Sequence, residues 1–357
     1  MATCPSYAEP VSSATAQALA VADRLHPPPA GAPDAAQYKE WQHFVLFDGD
    51  ERALIANLSV SGDVQRGGGG EARVVLLSHG PEGWSGGVDV YRGEEARLTA
   101  GSPSLRVGPH RLDYRGGRYR LSAALRDGSL AVRAHLEPVG APAMIWSDTP
   151  VGSGYVNWLI VPDLVATGRA RAGGWRGSLS GWRGYHDHNW GRWWWGEDFG
   201  WQWGVAQGPD AAGDGSALTL VYDRTTDRAG QVVKEHTLTI WRGAELATVF
   251  TRGSLRARAT GTFSREPVRR VPGVMGLLAQ GTSSGVPREF EWEAHDGPDH
   301  LVARYEPASA IDVVVPSELG PGHVRLAEAV GTLTVQGRVL GEDLDFRTRG
   351  FFEFMGG

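Results

Sequence analysis

The run Leu54-Ile55-Ala56-Asn57-Leu58-Ser59-Val60 sets Leu54, Ala56, Leu58 and Val60 against Ile55, Asn57 and Ser59. A period of two marks a strand with one apolar face. The rhythm returns in Leu130, Val132, Ala134 and Leu136, which alternate with Ala131, Arg133 and His135. It returns again in Leu218, Leu220 and Tyr222, and in Leu333 and Val335 between threonines. Asp127-Gly128 and Asp48-Gly49 stand between such runs at hairpin spacing. After residue 38 no amphipathic helical pattern lasts more than a few turns. Short strands punctuated by turns predict an all-β protein built of sandwiches or small barrels.

Composition agrees. An apolar fraction of 41% supports a real core in a chain of 357 residues, long enough for two domains. Fifty glycines supply the turns and bulges that β folds need. Net charge is −6 and the basic residues are scattered, the nearest cluster being Arg265, Arg269 and Arg270, so the chain does not read as a nucleic-acid binder. The single cysteine, Cys4, excludes an intrachain disulfide and a multi-cysteine metal site, and suits a reducing compartment. No basic segment followed by an apolar run opens the chain, and no apolar stretch approaches the roughly 18 residues of a membrane span. The expectation is a cytoplasmic protein without a membrane span, free to touch a membrane transiently if its substrate is dissolved there.

Residues 1–37 read as a flexible extension. An Ala-rich stretch from Ser13 to Leu25 suits a short helix, and His26-Pro27-Pro28-Pro29 then breaks it. Beyond it lies a faint repeat. Trp41-Gln42-His43-Phe44-Val45 is echoed 160 positions on (41 and 201) by Trp201-Gln202-Trp203-Gly204-Val205. Arg183-Gly184-Tyr185-His186-Asp187 is echoed 166 positions on (183 and 349) by Arg349-Gly350-Phe351-Phe352-Glu353. Similar offsets at both ends predict two β domains, 38–190 and 199–357, joined by a Trp-rich segment over 191–198.

The segment Gly184-Tyr185-His186-Asp187-His188-Asn189-Trp190-Gly191 concentrates groups that move protons. Eight of the 14 tryptophans fall between Trp175 and Trp203, around it. In an extended segment Tyr185, Asp187 and Asn189 share one face, and His186, His188 and Trp190 the other. On the first face, Asp187 in an apolar setting would stay protonated and act as a general acid, oriented by Tyr185 and Asn189. Trp190, Trp193, Trp194, Trp195, Trp201 and Trp203 would offer π faces to a developing carbocation, with Trp41 as a further aromatic of the binding site. The plain alternative is a carboxylate bonded to turn amides or paired with Arg183 or Arg192. On the second face, His186 and His188 are weak candidates for a metal, with His43, His236 or a carboxylate to complete the set. Their plain alternative is packing against tryptophan and bonding to carbonyls, and no metal is expected. Glu40 beside Trp41 and Glu353 among phenylalanines are acids in aromatic company. Gly83-Trp84-Ser85-Gly86-Gly87 matches a hydrolase pattern without the strand–elbow–helix context it requires.

The run Gly181-Trp182-Arg183-Gly184-Tyr185-His186-Asp187-His188-Asn189-Trp190-Gly191 resembles the signature of the carotenoid 1,2-hydratase (hydroxyneurosporene synthase) and AttH-like superfamily. Glu40-Trp41 and Arg349-Gly350-Phe351-Phe352-Glu353 are similar to its opening and closing elements. The resemblance implies two lipocalin-like β domains with a ligand pocket near their junction. It also implies hydration of terminal polyene double bonds, or intramolecular Diels–Alder cyclisation in polyketide pathways. Carried over from the hydratase branch, the catalytic pair is Tyr185 and Asp187. The His188-Asn189-Trp190 tail departs from the carotenoid-hydratase pattern. The resulting expectation is a cofactor-independent enzyme that protonates an alkene of an apolar isoprenoid or polyketide for hydration or cyclisation. A pericyclase, or a non-catalytic carrier of lipids or pigments, stands as the alternative.

Overall fold

A computed structural model describes residues 13–49, 51–66, 69–99, 101–209, 217–263, 269–270 and 285–356. Cys4 and Arg265 lie outside them. The chain divides into two compact units, whose described residues fall within 13–194 and 195–356. Both are β units whose described strands pair antiparallel except at Arg269–Arg270, which runs parallel to Asp299–Pro316, and among the described residues the longest helix is Ser13–Ala22. The expected hairpins are present. Gly49 (φ +86°) and Gly128 (φ +73°) take the left-handed conformation their turns require.

The first unit is one curled sheet. Tyr38–Phe47 pairs with Ala53–Ser61 on one side and with Trp182–Arg192, the last strand, on the other. Joining first strand to last draws the sheet into a nearly closed barrel. From Trp182–Arg192 the order runs on through Gly154–Ala172, Leu130–Pro138, Arg118–Ala124 and His110–Arg115. The alternating residues read from sequence do face inward. Leu54, Ala56, Leu58, Leu130, Val132, Ala134 and Leu136 join Phe44, Leu46, Val74 and Leu164 in one core.

The second unit repeats this plan. Gly200–Gln207 lies between Leu218–Thr226 and the last strand, Glu342–Gly356. The two registers match. Gln42, His43, Phe44 and Val45 face His188, Asp187, His186 and Tyr185. Gln202, Trp203, Gly204 and Val205 face Phe354, Glu353, Phe352 and Phe351. The packing exchanges size between partners. Phe44 stacks on His186 at 4.2 Å in the first unit. In the second, Gly204 leaves its space to Phe352, whose ring a Cβ there would strike.

Part of the expected flexible extension proves structural. The helix Ser13–Ala22 and the chain after it are packed on the first barrel, with Leu19 and Leu25 in its core. Tyr114 donates its hydroxyl proton to the Ala16 carbonyl at 2.9 Å. The Leu25 N–H donates to the Ser102 carbonyl at 3.1 Å. The first unit therefore begins well before residue 38. Two leucines and one acid in an Ala- and Pro-rich stretch are too few to announce this as a pattern.

Candidate active site

The Trp182–Arg192 strand is buried on both faces, and the two faces do different things. His186, His188 and Trp190 point into the barrel with Phe44 and Leu159. Tyr185, Asp187 and Asn189 lie on the face turned away from that core. Register places them between Val45, His43 and Trp41 on one neighbouring strand, and Ile160 and Trp158 on the other.

Asp187 is 4% exposed. Tyr185 donates its hydroxyl proton to Asp187 Oδ2 at 3.0 Å, and Asn189 Nδ2 donates to Oδ1 at 2.8 Å. A phenol hydroxyl can donate to a carboxylate or accept from a carboxylic acid. The same geometry therefore satisfies Asp187 in either protonation state. Arg183 pairs with Asp163, and Arg192 with Asp34. Beside Asp187 stands His43, whose Nδ1 is 3.3 Å from Asn57 Nδ2. Burial first, and then the nearness of His186, push the His43 pKa down to about 3, so the ring is neutral. Trp193 meets Trp41 edge to face at 5.5 Å.

The other expected aromatics are dispersed. Trp190 is on the histidine face, because strand alternation separates it from Asp187, and it stacks flat on His26 at 4.1 Å. Trp194 is half-buried near the Lys39 ammonium, 5.8 Å from the ring centre. Trp195, Trp201 and Trp203 belong to the second unit. There Trp195 packs on Trp201 at 5.6 Å, Trp201 donates its indole N–H to Glu353, and Trp203 meets Phe351 at 6.0 Å. Burial raises the Glu353 pKa, against hydrogen bonds from Glu328 and Trp201.

The inner face holds a polar cluster of which sequence reading named only Glu40, His186 and His188. His188 sits between two carboxylates, with Nε2 2.8 Å from Glu40 Oε1 and Nδ1 2.9 Å from Asp23 Oδ1. The Nδ1 contact has the geometry of an ion pair rather than of an aligned hydrogen bond. Asp23 also accepts from Tyr119 at 2.5 Å and from Gln42 at 3.3 Å, and lies 3.4 Å from His186 Nε2. His186 Nδ1 is 2.9 Å from the His43 carbonyl oxygen and donates to it, which links the two faces. Glu40 accepts from the Tyr38 hydroxyl and from the His26 backbone N–H at 2.8 Å. Burial alone would raise both carboxyl pKa values. Contacts with His186 and His188 outweigh it at Asp23, and hydrogen bonds from His188, His26 and Tyr38 outweigh it at Glu40, so both pKa values fall. Burial disfavours the His188 imidazolium, yet Asp23 and Glu40 raise its pKa to about 9. Of the partners expected for an H-x-H metal pair, a carboxylate, Glu40, does stand at His188, but the two other histidines do not join it. His43 is on the opposite face, and His236 packs on Tyr222 within the second unit. Asp23 and His26 carried no signal in sequence, because a chain reversal brings them in.

No protein-family model matches the chain, and no curated protein matches it in sequence. Its structure does have counterparts. The AttH-like protein of Nitrosomonas europaea is 12% identical and aligns over 93% of this chain and 99% of its own, with a TM-score of 0.59. Kievitone hydratase from Nectria haematococca is 12% identical over 94% of this chain and 93% of its own, with a TM-score of 0.56. CghA with Sch210972 is 12% identical over 92% and 93%, with a TM-score of 0.54. At this identity the likeness is one of fold. The chain shares the all-β fold of these proteins, the fold class that its strand pattern predicted.

Proposed function

We propose that the protein is a cofactor-independent enzyme that protonates a carbon–carbon double bond of an apolar isoprenoid or polyketide, leading to hydration or cyclisation. Asp187 is the proton donor, and Tyr185 and Asn189 orient it. The observation that carries this reading is the buried Tyr185–Asp187–Asn189 arrangement, which keeps its hydrogen bonds whether Asp187 is charged or neutral. A group that must lose and regain a proton during turnover needs that tolerance. Trp41 and Trp193 supply aromatic faces on the same side of the strand. The fold shared with a hydratase adds weight. Water then captures the cation, or an internal double bond does.

The test is mass spectrometry of apolar metabolites co-purifying with the protein and with Asp187→Asn. The expected result is an unreacted alkene on the variant, and on the unaltered protein a product heavier by one water or isomeric with that alkene. Single-turnover conversion of the captured alkene should fall by about 10²–10⁴-fold in Asp187→Asn. An undiminished rate would point to a pericyclase that acts by folding its substrate. The same ligand, unchanged, on both proteins would point to a carrier.

A further inference from the structure

We propose that His26, Glu40 and His188 form a binding site for a divalent transition-metal ion of the zinc class in the first barrel, beside a cavity that His26 lines. This does not rest on the reading of Asp187, which lies on the opposite face of the strand.

The three side chains converge from separate parts of the chain. Glu40 and His188 come from adjacent inner strands, and His26 from the segment following the N-terminal helix. Glu40 Oε1 is 2.8 Å from His188 Nε2 and 3.3 Å from His26 Nδ1, and one donor atom from each of the three residues falls within 4.8 Å of the others. Ligand atoms around a tetrahedral zinc, at bonds near 2.0–2.2 Å, stand about 3.3 Å apart. Two imidazoles and a glutamate are a zinc donor set that leaves a position open.

The surroundings are those of a metal site too. The Asp23 carboxylate lies 2.9 Å from His188 Nδ1, the nitrogen that would not ligate. The Tyr38 hydroxyl holds Glu40 Oε2, which leaves Oε1 toward the two histidines. Outer groups of this kind set ring orientation and ligand basicity in metal proteins. Trp190 fixes the His26 ring by flat stacking. Two carboxylates, Asp23 and Glu40, balance one dication.

There is also room for an exchangeable ligand. A cavity of about 150 Å³ is lined by His26, Tyr38, Tyr155, Asn157, Trp190 and Arg192, among others. Its wall includes Asp148 in the left-handed conformation (φ +47°), held by paired hydrogen bonds with Asn157 of 2.8 and 3.1 Å. An open position on the metal would take water or a small oxygen ligand. Finally, the fold does not require polar groups here. The second unit has Phe352 and Phe354 where this one has His186 and His188, and Gly200 where it has Glu40.

The test uses the full chain, stripped with a chelator and titrated with zinc chloride by calorimetry. Cobalt(II) absorption reports the coordination. The expected result is one zinc per chain, a rise in melting temperature with zinc, and cobalt d–d bands in the visible. His26→Ala should keep the circular dichroism of the barrel, because His26 is a part-exposed loop residue. It should weaken zinc by about 100-fold or more. Glu40→Gln, of the same shape, should do likewise. If the unaltered protein binds no zinc, or if both variants bind it as tightly as the parent, the cluster is a hydrogen-bonded ion pair and the proposal is overturned.

Discussion

Tyr185 distinguishes this strand from its counterpart in the second unit, where Phe351 occupies the same register position and Glu353 that of Asp187. Tyr185→Phe removes one hydrogen bond to Asp187 and leaves the ring. It should lower turnover roughly 10–100-fold with little change in fold, measured as conversion rate beside circular dichroism. The second unit offers a residue-scale test of another kind. Asp223 is buried, and its Oδ2 has no hydrogen-bond partner. Burial, then the nearby Glu235, push its pKa well above 3.8. Below pH 3.8 the carboxyl is neutral folded or unfolded, and no penalty arises. As pH climbs past that value the unfolded chain ionises while the folded one resists, so stability is lost on the way to the folded pKa. Asp223→Asn should therefore stabilise the protein at pH 7 by roughly 1–3 kcal/mol. The gain should shrink toward zero near pH 4, which denaturant melts at the two pH values will measure. An equal gain at both would show that the cause is not ionisation.

At the scale of elements, the helix Ser13–Ala22 and the turn after it behave as a strand neighbour rather than a tail. Asp23→Ala leaves His188, His186 and Tyr119 facing a buried gap, and losing one partner of a buried pair costs about 3–5 kcal/mol. The denaturant midpoint should fall accordingly, with near-ultraviolet circular dichroism reporting the loss. An effect under about 1 kcal/mol, typical of an exposed pair, would contradict the packing seen here. This element also marks where sequence reading reached its limit. Leu130–Pro138 alternates cleanly because one of its faces is more open to solvent, and its inner residues were legible. Trp182–Arg192 is buried on both faces, so periodicity separated its two faces without saying which one lines the barrel. The repeat was legible because two offsets, 160 and 166, are similar. The pairing of Asp187 with Tyr185 and Asn189 was legible too, since all three lie on one strand at a spacing of two. Asp23 and His26 were not, because contacts made by a chain folding back leave no local period. The shift of register between Val161 and Leu164 is likewise invisible in composition.

The whole molecule carries two versions of one β plan, and comparing them separates what the fold requires from what one copy adds. Both have the first strand clasped between the second and the last, with a core of its own. They differ in what fills it. The first core encloses Asp23, Glu40, His186 and His188, while the second stacks Trp292 on Phe352 at 5.3 Å and sets Phe290 against Phe354 at 5.9 Å. A buried ionic group costs several kcal/mol of desolvation, and well-packed apolar residues of similar volume often do as well or better. The second unit supplies the apolar solution on the same register. It follows that single and combined substitutions in the first core should diverge. Asp23→Ala and Glu40→Ala should each destabilise by several kcal/mol, because each strands charged partners. Asp23→Leu, Glu40→Leu and His188→Phe made together remove both carboxylates and the cation they hold. Their combined cost, from denaturant midpoints, should be well below the sum of the single costs. Simple additivity would mean that the polar cluster is needed by the barrel itself, and the second unit's phenylalanines would then be no guide to the first.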